Sequence, residues 1–107
     1  MTVGALTRLL TLQEPLRTPD GGGGFATAWQ DIAQDPAVFA SVAEIGGGEE
    51  LRQMQLAGVQ KYRILIRHRA DITADMRLTE GVGIYAITGI RDPDGKRMFL
   101  EIMAEGA

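Results

Sequence analysis

Hydrophobic and polar positions alternate with a period of two along most of the chain. In Val38-Phe39-Ala40-Ser41-Val42, the residues Val38, Ala40 and Val42 fall on one face. In Lys61-Tyr62-Arg63-Ile64-Leu65-Ile66-Arg67-His68-Arg69, Tyr62, Ile64, Ile66 and His68 share a face and Arg63, Leu65, Arg67 and Arg69 share the other. Such alternation is that of strands with one buried side. Ile84–Ile90 and Met98–Met103 read as two more strands. Asp92-Pro93-Asp94-Gly95 between them is a turn: proline presets one φ and glycine accepts a positive one. Shorter strands are predicted at Leu9–Gln13, stopped by Pro15, at Phe25–Gln30, and at Met76–Thr79. Six to seven short strands at this spacing predict a mainly β protein, a small antiparallel β-barrel or sandwich.

One stretch breaks the period. Glu49–Ala57 consists of good helix formers, with acidic residues at its start and Gly58 after it. It predicts a helical or extended excursion between strands, with an apolar stripe too narrow to be buried in its own domain. Gly21–Gly24 and Gly46–Gly48 hold seven of the 14 glycines and lie between strands. The expectation is therefore one barrel domain over residues 1–107, from which the Glu49–Ala57 stretch projects.

Composition narrows the chemistry. The chain has 107 residues, no cysteine and one histidine, which excludes disulfide scaffolds, thiol catalysis and cysteine-based zinc sites. The formal net charge is -3, unlike the basic balance of a freestanding DNA-binding domain. Nine of the 11 basic residues are arginine, a residue favoured at ion-paired interfaces. No run approaches the ~18 apolar residues of a membrane span, and the first residues lack the features of a signal peptide. A cytosolic protein, or one inside an assembly built there, is expected.

Candidate sites are few. Gly21–Gly24 lacks the following helix and lysine that a phosphate loop requires, and reads as a hairpin tip. His68 is flanked by Arg67 and Arg69 and lacks an obvious carboxylate partner as a base, although Asp71 is close in sequence. Asp92 with Asp94, and Glu49 with Glu50, are carboxylate pairs without the further oxygens of a calcium loop. Arg63, Arg67 and Arg69 form a stripe that suits an acidic neighbour, a nucleic acid, or solvent. Trp29 suits the core or an anchor against another subunit. The chain has six aromatic residues, and none is expected on the arginine face.

The order of elements resembles the head-tail joining proteins of tailed bacteriophages (head-closure, stopper or adaptor proteins), including those of gene transfer agents. The likeness runs through Leu9–Pro15, Asp20–Phe25 leading to Trp29, Val38–Val42, the polar stretch Glu49–Gln55, Tyr62–Arg69 with Ile72–Arg77, and the final hairpin. The link Asp31–Pro36 is slightly longer than that family's usual one.

The resemblance implies a non-enzymatic, cofactor-free subunit of a homo-oligomeric ring below the portal, at the head-tail junction of a particle assembled in the host cytoplasm. Its partners would be further copies of itself, a portal or adaptor ring protein, and a tail terminator or tail tube protein. Double-stranded DNA would pass through without sequence-specific binding, and no membrane would be involved. The excursion Ile45–Gln60 would pack on neighbouring subunits or line the channel. The subunit interface would then hold Gly47, Glu50, Leu51, Met54, Arg63, Arg67 and Arg69. Two other readings compete: an OB-like barrel binding single-stranded nucleic acid through its arginines, and a small enzyme using Asp71 and His68.

Overall fold

The computed structural model describes residues 6–19, 21–45, 58 and 60–106. Its seven strands are β1 (Arg8–Pro19), β2 (Phe25–Asp31), β3 (Ala37–Glu44), β4 (Gln60–Arg67), β5 (Arg77–Glu80), β6 (Gly83–Arg91) and β7 (Phe99–Gly106). All pairings are antiparallel. Six strands follow one another as β1-β3-β4-β7-β6-β5, and pairing of β5 back to β1 closes them into a barrel. Among the described residues the seventh, β2, pairs only with the outer half of β1. The described residues contain no helix. The predicted helix Glu49–Ala57 lies outside them.

Inward positions alternate as the sequence pattern requires. Leu10 and Leu12, Val38 and Ala40, Ile64 and Ile66, Leu78, Tyr85 and Ile87, and Leu100, Ile102 and Ala104 form one core. Ile32 and Ile72, from the connections before β3 and β5, complete it. Leu10, Leu12, Ile64, Ile66, Leu78 and Ile102 are the largest fully buried side chains. Tyr62 sits at the core's edge and meets Tyr85 edge-to-face, with ring centroids 4.9 Å apart.

Pro15 does not stop β1, which continues to Pro19. The Leu12 carbonyl accepts from Ile32 N, and Leu12 N donates to the Pro36 carbonyl. Even-numbered residues of β1 thus turn their backbone groups toward the β2–β3 side. Pro15 and Pro19 turn their nitrogens the other way, where no strand among the described residues pairs with this half of β1, so their missing N–H groups disrupt no ladder there. Beyond Gln13 the two strands form an isolated ribbon of about 20 Å at the usual strand rise. Gly21 and Gly23, at φ 85° and 86°, turn its tip through a conformation costly to other residues.

The four extra residues between β2 and β3 show in the register. Gln13 faces Asp31, while Thr11, two residues earlier, faces Ala37. The bulged segment drops Ile32 into the core and takes Asp35 to φ 49°. In the last hairpin, the Asp92 carboxylate accepts from the backbone N–H groups of Asp94, Gly95 and Arg97, and Gly95 lies at φ 67°. Arg97 also has positive φ, so pairing resumes at Phe99 and Met98 belongs to the loop rather than to the strand.

Leu78 fills the centre of the short strand that closes the barrel and is fully buried. Leu78→Ala should cost about 2–5 kcal/mol of stability. Urea unfolding followed by circular dichroism measures it, with the same cost expected at Ile64→Ala.

Candidate interaction surfaces

Several surfaces of the barrel gather the polar chemistry. The first is the root of the ribbon. Gln13 pairs through its backbone with Asp31 on one side and Arg77 on the other. Its side-chain amide donates to Asp31 Oδ1 at 2.9 Å, and its carbonyl oxygen accepts from Arg77 Nε at 2.9 Å. The Arg77 guanidinium then lies 4.4 Å from the centroid of the Trp29 ring, a cation-π contact. Trp29 is therefore half-buried at the root and outside the core. Further out, Gln30 Nε2 donates to Glu14 Oε1 at 2.9 Å. These contacts fix the ribbon's departure from the barrel.

The second surface is the outer wall of β4, β7 and β6. Glu101 faces outward, yet its side chain is only 4% exposed beneath Arg63 and Arg91. Arg91 Nε and Nη2 donate to its two oxygens at 3.0 and 3.3 Å, and Arg63 Nε lies 3.7 Å from Oε1. Two guanidiniums on one carboxylate leave the wall locally positive in an acidic chain. Leu65, the strand partner of Glu101, is buried on this same outer face. Arg67 lies two residues further along and has no acidic partner among the described residues.

The structure adds what one strand's alternation could not. Phe99 pairs directly with Arg67, and Phe39 lies alongside it one strand away, next to the Ala40–Ile66 pair. Leu9 pairs with Phe39 in turn. The arginine face therefore does carry aromatics, contrary to the expectation from sequence. Leu9, Phe39 and Met98 are 53%, 59% and 58% exposed, so this stripe has no role in the core. Phe39, Arg67, Phe99 and Leu6, with Asp35 and His68, line an open groove of ≈ 1000 Å³.

Arg69 departs from the predicted stripe because β4 ends at Arg67. Its guanidinium donates to both oxygens of Asp71, at 2.6 and 2.7 Å, and to the carbonyls of Asp35 and Gln34 at 2.9 and 3.0 Å. It ties the β4–β5 connection to the bulge before β3. The Arg69 hydrogen bonds hold the Asp71 carboxyl below its ordinary range. Asp71 is thus committed to Arg69, which removes the carboxylate partner proposed for a catalytic His68. His68 is half-buried, and its backbone N–H donates to the Met98 carbonyl. No group of three metal-ligating side chains occurs among the described residues.

At the opposite end, Arg8 bridges β1 to β5 through both oxygens of Glu80 and also donates to the Tyr85 hydroxyl. The hydrogen bonds from Arg8 lower the Glu80 carboxyl below its ordinary value. The interface candidates Gly47, Glu50, Leu51 and Met54 lie outside the described residues.

The described residues thus form a closed barrel with a braced ribbon and an apolar, arginine-bearing outer wall. Residues 1–106 match the phage head completion protein family, and the chain belongs to that family. Its members are structural proteins of the virion, and completing the head is a structural task. In the virion of a native gene transfer agent particle, one chain shares the fold, with a TM-score of 0.68, 24% identity and 92% of each chain covered. Comparison with curated proteins gives no match.

Glu80, Asp71 and Asp92 all have lowered pKa values, the last from backbone N–H groups led by that of Arg97. Carboxylates depressed in the folded state stabilise it fully above their unfolded values, near 4. That stabilisation is lost as pH falls through the folded values. Denaturant midpoints measured from pH 7 down to pH 3 should fall, and fall less in Glu80→Gln. An equal fall in both proteins would refute a contribution from the Arg8–Glu80 pair.

Proposed function

We propose that the protein is the head-closure subunit of a phage-like particle. It forms a homo-oligomeric ring below the portal, at the head-tail junction, and docks the tail. The observation that carries this reading is the family match over residues 1–106. The ring and its neighbours are supported by the shape of the surface. A two-stranded ribbon standing alone is marginally stable, and exposed Leu9 and Phe39 beside half-buried Phe99 invite a neighbour. The partners are a portal or adaptor ring on one side and a tail terminator or tail tube protein on the other.

Arg63 and Arg67 contribute to the subunit interface from the outer wall, and Gly47, Glu50, Leu51 and Met54 from the excursion. Arg69 contributes by holding the rim of the groove. Double-stranded DNA passes through the channel without being read. An acidic subunit suits this, since tight phosphate binding would hinder ejection.

Phe39 and Phe99 beside Arg67 also favour a second reading, a single-stranded nucleic-acid platform built on stacking and cations. Salt-dependent binding of a labelled oligonucleotide, weakened by Phe39→Ala, would support that reading over the first.

Particles produced without the protein should hold packaged heads that lose DNA and fail to join tails. Filled, tailed particles seen by electron microscopy in its absence would overturn the head-closure reading. Removal of residues 47–57 should leave barrel circular dichroism intact while abolishing incorporation. The pairing that closes this edge lies outside the removed stretch, since Ile45 N donates to the Lys61 carbonyl.

A further inference from the structure

A ring of identical subunits with one kind of contact needs two different, complementary surfaces on each copy. The outer wall supplies one of them. Its groove offers apolar surface from Phe39 and Phe99 around Arg67, whose guanidinium has no acidic partner among the described residues. Its complement is an apolar side chain with a carboxylate beside it.

The ribbon carries that combination. Glu14 and Leu16 are two residues apart on β1 and share a face. Leu16 is 44% exposed opposite Ala28, a small partner that does not cover it. Glu14 accepts from Gln30 and has no basic partner among the described residues. At the usual rise the two side chains are separated by about 6.6 Å. One strand spacing, about 4.8 Å, separates Arg67 from Phe39 on one side and from Phe99 on the other. A carboxylate on Arg67 therefore leaves the neighbouring leucine over a phenylalanine. The ribbon's root is braced by Arg77, Gln13 and Asp31, so its face is presented in a fixed direction.

Resting on the ring reading above, we propose that neighbouring copies meet head to tail. The Glu14–Leu16 face of one copy's ribbon seats in the Phe39–Arg67–Phe99 groove of the next. Leu16 packs over one of the two phenylalanines that flank Arg67, and Glu14 pairs with Arg67. The contact is heterologous: each copy uses its ribbon once and its groove once.

The chain has no cysteine, which makes the test clean. Particles carrying the double variant Leu16→Cys/Phe39→Cys are treated with a short bismaleimide and run on a denaturing gel. A ladder extending beyond the dimer is expected. Particles carrying a mixture of the two single variants should give dimers and nothing larger, and either single variant alone should give none. Cross-linked dimers from Leu16→Cys alone would mean ribbon-to-ribbon contact and overturn the pairing. Absence of cross-links in particles holding several copies each would overturn the pairing and leave the ring intact. A count of one copy per particle would overturn the ring itself.

Charge exchange supplies an independent readout. Glu14→Arg and Arg67→Glu should each lower incorporation by about tenfold, in the range of a broken interfacial ion pair. The two together should restore it, and no restoration in a folded double variant would also overturn the pairing.

Discussion

The structure depends on a division of labour along β1. Its first residues, Arg8–Gln13, are barrel staves, paired with β3 and closed by β5. Its remaining residues leave the barrel and, among the described residues, pair only with β2. One continuous strand thus connects the hydrophobic core to the exposed ribbon. Leu10 and Leu12 hold it on the inside, while the Gln13–Arg77–Asp31 cluster holds it at the exit. Without barrel closure the ribbon would have no fixed base, and without the ribbon the long strand would have no reason to outrun its partners.

The bulge before β3 and Arg69 belong to the same constraint. A second strand following β1 along its whole length would run straight from ribbon to barrel. Four additional residues break it, sending Ile32 into the core and leaving backbone carbonyls at Gln34 and Asp35. Arg69 satisfies both carbonyls while pairing with Asp71. A guanidinium suits this because its planar fork carries several donors at fixed angles, which a lysine cannot match.

Much of the barrel was legible in the sequence because its evidence is local. Alternation placed Ile64, Ile66 and Val38 inside, and the Asp92–Gly95 turn announced the last hairpin. The errors arose where the deciding partner is distant in sequence. Pro15 looked like a terminator, but its effect depends on which edge its nitrogen faces, and that is set by Ile32 and Pro36. Arg69 looked like one tooth of a stripe until β4 ended two residues earlier. Phe39 and Phe99 joined the arginine face only through register, which no single strand reveals. The ordering of elements carried the family resemblance, and the match over residues 1–106 bears it out.

The two prolines of the ribbon have a further consequence for aggregation. A two-stranded sheet with both edges open can recruit strands on either side, and such growth has no natural end. Here the β1 edge lacks donors at Pro15 and Pro19, while the β2 edge, Phe25–Asp31, contains no proline. Sheet extension is therefore directional. A strand that joins along β2 leaves the proline-bearing edge as the ribbon's far side, so stray pairing between ribbons ends at two partners instead of running on into a fibre.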